Sequence, residues 1–225
     1  MTKGKLQAYF NPRMAKLSKA AAFGVDARKI AHEIFVLEMQ DANIRKCDPK
    51  SLFLAAWELA KAGLVPNPAN GGPYVVPRGS KASIDWGVAG YTALAMRTGK
   101  YAAIWSSVYR EHDDFQIIKH EQPPFRHVEA NVDPGDIQGV YAVIEMKSGR
   151  MLVDRMRKSE LEAHRDQYAG GSSAWKTAFW SMGKKTVLKR LLKPLHSEHS
   201  DTLNEAIKKD VSDDLDGSFM VEDEL

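Results

Sequence analysis

Ile30, Ile34 and Leu37 recur at helical spacing behind Asp26, so residues 1–45 read as largely helical, with Asp26 as a cap. Asp48-Pro49 marks a second start, an N-cap followed by proline at the first helical position. Leu52, Ala55, Ala56 and Leu59 form the buried stripe of that helix, and Gly63 ends it. Residues 66–83 are rich in Pro, Gly and Asn, which predicts turns around short strands. Strands over 74–77 and 83–86, joined by a turn at 78–81, predict a β-hairpin. Residues 88–97 read as a helix closed by Gly99. Strands are predicted over 103–109, 114–118, 139–147 and 151–156, with loop between 118 and 139. Ser159 with Glu162 forms a capping box for a helix that Gly170-Gly171 ends. A basic helix over 175–194 and a shorter one over 202–209 follow. This order predicts an α+β fold: a small antiparallel sheet, a β-hairpin and packed helices, the long basic helix among them.

The basic stretch, WKTAFWSMGKKTVLKRLLKP, carries Lys176, Lys184, Lys185, Lys189, Arg190 and Lys193 without a carboxylate. A solvated helix ordinarily alternates its charges, because opposite pairs support it and like pairs repel. Keeping only positive charge points to a polyanionic partner; the bland alternative is a solvated basic face. At about 100° per residue, Lys185, Lys189, Arg190 and Lys193 share one arc. Trp180, Val187, Leu188, Leu191 and Leu192 take the opposite one. Trp175, Ala178, Phe179 and Met182 point toward the later cationic arc, so the face changes at Gly183. Glycine weakens a helix by about 1 kcal/mol relative to alanine, which predicts a kink there or emergence from a packed core. Lys184 falls within the apolar arc, where it must snorkel, find a carboxylate or meet a phosphate.

Charge divides the 225-residue chain further. The net charge is only +3, yet Lys3, Lys5, Arg13, Lys16 and Lys19 stand in residues 1–25 without an acid. Residues 210–225 hold Asp210, Asp213, Asp214, Asp216, Glu222, Asp223 and Glu224 without a base. The expected organisation is a basic N-terminal arm over 1–25, a core over 26–209 and an acidic disordered tail over 210–225. The arm's Leu6, Tyr9, Phe10, Met14, Leu17 and Phe23 are then available for docking on a neighbour. The single Cys47 excludes an intrachain disulfide and fits a reducing compartment. With no membrane-length apolar run and no signal-peptide core, the expectation is a cytoplasmic protein.

Several motifs imitate chemistry. Gly183-Lys184-Lys185-Thr186 resembles the end of a nucleotide-binding loop, but the required earlier glycine is Ala178, inside a helical pattern. Asp133 with Glu145 and Lys147 imitates a Mg²⁺-dependent nuclease; this is the alternative function, against a simple cross-strand charge pair. His112, Asp113, Asp114, His120 and His127 lack the strict spacing of a metal site, so no metal or cofactor is expected. Cys47 stands at a helix start, but Asp48 beside it opposes thiolate activation. Tyr91, Arg97, Lys100, Tyr101, Trp105, Tyr109 and Arg110 interleave rings with cations, as sequence-tolerant nucleic-acid proteins do. Arg78, Lys81 and Arg97 show no pairing in the sequence. The candidate nucleic-acid contacts are therefore Lys184, Lys185, Lys189, Arg190, Lys193, Lys176, Arg97, Arg78, Lys81, Lys100 and Tyr91.

Segments across the chain resemble one family. They are CDPKSLFLAAWELAKAGLVPN at 47–67, YVVPR at 74–78, GYTALAMRTGKYAAIWSSVYREHDDF at 90–115, GVYAVIEMKSG at 139–149, MRKSELEAHR at 156–165 and SAWKTAFWSMGKKTVLKRLLKPL at 173–195. In order, spacing and turn residues this resembles the RecT family of phage and prophage single-strand annealing proteins, relatives of phage lambda's Beta protein, over about residues 40 to 210. Two places depart from the pattern. Ile84-Asp85-Trp86-Gly87 is more polar than the family's short strand, and the H-x-P turn survives only loosely in Phe125-Arg126-His127-Val128. The resemblance implies ATP-independent annealing of complementary single-stranded DNA into duplex during phage-type recombination in a bacterial host. It further implies a homo-oligomer, ring or helical filament. A phage exonuclease and a host single-strand-binding protein are the implied partners. The implied core, an α+β fold with the long basic helix lining a DNA groove, resembles that of Rad-fifty-two-type annealing proteins and performs no covalent chemistry. A third reading is a module that only coats single strands.

Overall fold

A computed structural model describes residues 4–118, 120–168, 173–198 and 200–215. The chain divides into two compact units, Met1–Gly90 and Tyr91–Leu225.

The first unit holds α1 (Lys5–Phe10), α2 (Met14–Ala20), α3 (Ala27–Gln40), α4 (Pro49–Ala62), and the hairpin β1 (Tyr74–Arg78) and β2 (Lys81–Asp85). Local chemistry sets the helix ends. The Asp26 carboxylate accepts from Arg28 N–H at 2.8 Å, and Asp48 accepts from Ser51 N–H at 2.9 Å. Gly63 closes α4 at φ 64°, a left-handed position that favours glycine. Leu52, Ala55, Ala56 and Leu59 are all buried, and α1, α2 and α3 pack on α4. Ser51 ties this helix to the hairpin, because its Oγ accepts from Ala82 N–H at 2.9 Å. Asp48 N–H donates to Ser80 O at 2.8 Å.

The expectation for the N-terminal residues needs correction. Leu6, Phe10 and Leu17 are buried in this unit's own core, and the Phe10 ring meets Phe35 and Phe53 at 5.2 Å each. Those three side chains are occupied within the chain rather than offered to a neighbour. Among the described residues there, Phe23 alone of the large apolar side chains stays mostly exposed.

Helix α5 (Gly87–Met96) spans the division between the units. In the second unit, β3 (Tyr101–Arg110), β6 (Ile137–Met146) and β7 (Met151–Arg157) form an antiparallel sheet with β6 central. Strands β4 (Asp114–Ile117) and β5 (Phe125–Val128) form a separate hairpin. Then come α6 (Lys158–Tyr168), α7 (Ser173–Thr177), α8 (Phe179–Leu192) and α9 (Asp201–Leu215). Every residue of β6 from Val140 to Ile144 is buried, as expected of a strand covered on both faces. On one face, Val140, Ala142 and Ile144 meet the helices. There the glycine Gly183 of α8 approaches Leu161 of α6 and Val140 so closely that an added Cβ would stand 2.9 Å and 3.4 Å from them. On the other face Tyr109, Tyr141 and Val143 form a cluster with Trp105, Val153 and the hairpin's Phe115 and Phe125.

The mixed, antiparallel α+β architecture agrees with the sequence reading, and four local expectations do not. β5 replaces predicted loop. Helix α6 begins at Lys158, where Glu160 Oε2 accepts from Arg157 N–H at 2.6 Å in place of the Ser159–Glu162 box. The chain breaks at Ala178 (φ −138°, ψ 44°) rather than at Gly183, whose role is close packing. Helix α9 runs on to Leu215, and residues 216–225 of the expected acidic tail lie outside the described residues, as do Gly170 and Gly171.

Candidate functional site

Half of the predicted cationic arc of α8 does not face solvent. Lys185 and Lys189 are only 6% and 9% exposed, buried along with Val187, Leu188 and Leu192. Both lysines are engaged within the chain. Both sides of the middle of α8 are therefore covered, which corrects the expectation of a helix lining a groove with these residues.

Arg190 is exposed but committed. Its guanidinium grips Asp154 of β7 bidentately, Nε to Oδ2 at 2.5 Å and Nη2 to Oδ1 at 2.8 Å, and donates to Arg155 O at 2.6 Å. The hydrogen bond to Asp154 raises its pKa further, against the desolvation that lowers it. Such planar two-point pairs are the strong form of ion pair. On the same stretch Lys184 is half-buried, while Lys176 in α7 and Lys193 after α8 are exposed.

Tyr91 is a second correction. It is fully buried, and its hydroxyl donates to Ala206 O at 3.2 Å, so its ring is closed to a base. Arg97 is half-buried, and burial lowers its pKa. Lys100 is exposed, and its carbonyl accepts from Lys147 N–H at 3.0 Å. In the first unit Arg78 and Lys81 face each other across the hairpin turn. Arg78 Nε donates to Ser83 Oγ at 3.1 Å, so it has a partner that the sequence did not reveal. Lys81 and Arg97 are also engaged.

The decoy motifs separate by position. Gly183 and Lys184 lie inside α8, with no loop of free amides to cradle a phosphate. Asp133 lies before the start of β6 and Glu145 near its end. From Ile137 to Glu145 the strand alone spans about 27 Å, which rules out a shared metal ion. Among the described residues no group of three or more His, Cys, Asp or Glu side chains stands close enough to hold a metal. Cys47 is buried, and its thiol pKa is raised by burial first, then by Asp48 and Asp41. Among the described residues no helix is long and apolar enough to cross a membrane.

Two groupings escaped the sequence reading. Asp113, His127 and Tyr141 form a buried polar chain beneath the β4–β5 hairpin. His127 Nε2 donates to Asp113 Oδ2 at 3.0 Å, and Nδ1 meets the Tyr141 hydroxyl at 2.9 Å. Burial raises the Tyr141 pKa. Burial also opposes the Asp113 charge, but hydrogen bonds from Ala130 N–H, His127 and Arg110 N–H outweigh it and hold this carboxyl below its usual range. The second grouping is Arg155, Arg157 and Lys158, which line a recess of about 470 Å³ with Tyr109, Gln138, Ser159 and Glu162. A period-two reading of β7 would have put both arginines on one face.

Residues 32–218 match the model of the RecT family. The chain is 30% identical to Protein RecT of Escherichia coli K12 over 158 residues, which is 66% of this chain and 59% of that protein. It is 27% identical to the uncharacterized protein YqaK of Bacillus subtilis 168 over 172 residues, 75% of this chain and 59% of that protein. The matches thus span about three-fifths of the length of both curated relatives. The family match includes the whole second unit's sheet and α8, and on that extent the chain belongs to the RecT family.

Proposed function

We propose that this protein binds single-stranded DNA and anneals complementary strands in recombination, without a nucleotide triphosphate and as an oligomer. The observation that carries the reading is the family match over residues 32–218, which includes the sheet and helix α8. Cations that remain accessible support it. Lys176 and Lys193 are exposed and Lys184 is half-buried, and Lys100 adds a further contact at the start of β3. In the first unit, Arg78 and Lys81 at the hairpin turn are separate candidates for phosphate. Phosphate contacts hold the strand and carry no sequence information, so base pairing itself supplies specificity. Lys185, Lys189 and Tyr91 serve the fold in this reading, and Arg190 serves its ion pair. The wide separation of Asp133 from Glu145 removes the geometric support for a nuclease.

Two complementary oligonucleotides mixed with the protein, without ATP, test the reading. Faster duplex formation with full-length products, accompanied by large sedimenting complexes, is the expected result. Shortened products would mean cleavage, and binding without acceleration would mean a passive coat; either outcome overturns the proposal. ATP hydrolysis above background that Lys184→Ala removes would overturn the nucleotide independence.

A further inference from the structure

The recess beside β7 lies on the sheet face away from α8. Rows of paired residues build it. Tyr109 of β3, Gly139 of β6 and Arg157 of β7 are directly paired across the sheet, and Ser107, Tyr141 and Arg155 form the next row on the same face. Gly139 has no side chain, and the Tyr109 ring occupies the space. A Cβ there would stand 2.6 Å from the Tyr109 hydroxyl and 2.4 Å from Met156 O. The ring is fixed from behind by Phe115, stacked at 4.3 Å and 10°. Tyr109 is thus a rigid, buried wall, and the polar side chains stand around it.

The charge of the lining is one-sided. Arg155, Arg157 and Lys158 oppose the single carboxylate Glu162, and Gln138 and Ser159 add neutral hydrogen-bonding groups. Arg157 and Lys158 are exposed. Among the described residues, none of these three cations forms an ion pair, in contrast to Arg190 on the other face. The recess volume lies within the ~300–1,000 Å³ of small-ligand clefts, and it is open to solvent rather than enclosed. Along β7 the two arginines are two residues apart, about 6.6 Å. That spacing lets the two guanidinium groups reach neighbouring phosphates of one strand. Guanidinium groups match phosphate geometry better than ammonium groups do.

We propose that Arg155, Arg157 and Lys158 form a phosphate-binding site that seats the backbone of a single DNA strand in this recess. This rests on the DNA-binding reading above and adds a site on the sheet face opposite α8. Arg155 and Arg157 take the phosphodiester oxygens, Lys158 adds a third charge, and Gln138 and Ser159 hydrogen-bond along the same strand.

The test is the salt dependence of single-strand binding, read by fluorescence anisotropy on an oligothymidylate. Each phosphate contact contributes about 0.7 to the slope of log K against log salt. The double variant Arg155→Gln/Arg157→Gln should therefore lose about 1.4 from the slope. Between 50 and 200 mM salt the wild type should lose about sevenfold more affinity than this variant. Lys158→Glu, at an exposed helix start where folding is not at stake, should weaken binding and flatten the slope as well. Arg126→Gln, a cation of the hairpin paired with Asp114, should leave the slope unchanged. A second readout is the rise in Tm that pyrophosphate produces in the wild type and fails to produce in the double variant. If the wild type binds DNA and neither recess variant moves the slope, or if pyrophosphate protects all variants alike, the site is refuted. If the wild type ignores DNA while pyrophosphate protects only through these residues, the recess stands as an anion site and the annealing reading falls.

Discussion

Replacing Asp113 by Asn should destabilise the second unit by about 2–3 kcal/mol. The Asp113 side chain is 2% exposed, and its two oxygens take three donors. Oδ2 accepts from Arg110 N–H at 2.7 Å and from His127 Nε2 at 3.0 Å, and Oδ1 accepts from Ala130 N–H at 3.0 Å. An asparagine keeps one acceptor and turns the other into a donor. With its amide nitrogen at the Oδ1 position it faces Ala130 N–H, donor against donor. With the nitrogen at the Oδ2 position His127 can change tautomer to accept, but Arg110 N–H is left unpaired. Either way one buried backbone donor loses its partner, which costs about 1–3 kcal/mol, and the charge assistance of the remaining bonds is lost.

Urea unfolding at neutral pH, followed by intrinsic fluorescence, measures this cost. Asp114→Asn is the control, because its pair with Arg126 is solvent-exposed and worth at most about 1 kcal/mol. A loss below about 0.5 kcal/mol for Asp113→Asn would refute the reasoning. The pH dependence gives an independent check. The Asp113 pKa is lowered on folding, so its contribution is complete above the unfolded value of about 3.9 and is lost as pH falls through the folded value. The variant should therefore show a shallower loss of stability on the acid side of pH 4 than the parent. An equal acid limb in both proteins would mean that the carboxylate is not charged and paired as described.

Gly139→Ala should cost about 3 kcal/mol, because the new Cβ would meet the carbonyl oxygen of Met156, a backbone atom that cannot turn aside; a parental thermal midpoint would contradict this. Asp154→Asn should lower stability by about 1 kcal/mol or less, yet tighten single-strand binding by freeing Arg190 and steepening the salt slope by about 0.7. Weaker binding in that variant would show that Arg190 already acts through its pair. Tyr91→Phe should cost about 1 kcal/mol in unfolding, from the hydrogen bond to Ala206 O, and leave DNA affinity unchanged. A loss of affinity without a loss of stability would return Tyr91 to the binding surface.

Features with a local cause were legible in the sequence. Asp26, Asp48-Pro49 and Gly63 act within four residues of themselves, and each ends or begins a helix where the pattern placed it. The hairpin of β1 and β2 follows in the same way from its turn, with Gly79 at φ 61°. What the sequence hid depends on distant partners. Strand β5 is only four residues long and follows Pro123-Pro124, and it is held by Phe125 and His127 against Tyr141. The alternation of α8 suggested a dry side and a wet side, because helical periodicity describes packing against one neighbour. In the fold the second side is covered too, since Lys185 and Lys189 are buried. Gly183, on the sheet side, admits Leu161 and Val140 at close range rather than bending the helix.

The one-signed run from Lys176 to Lys193 points to a polyanion partner, and the fold changes which of its cations could serve one. A cation that is buried or ion-paired has less charge to offer a phosphate than one exposed to water. Burial has limited Lys185 and Lys189 in this way, and a carboxylate 36 residues earlier in the chain has neutralised Arg190. The absence of acids within the run concealed this, because Asp154 reaches Arg190 across the sheet and not along the helix. Arg155 and Arg157 show the converse. They sit in a strand with Asp154 beside them in sequence, which by local charge counting makes them half-compensated. Strand alternation turns Asp154 to the helix face and both arginines to the hairpin face, so the carboxylate cannot offset them. Local sequence counts charges, but the face on which each side chain emerges decides which of them a DNA strand can meet.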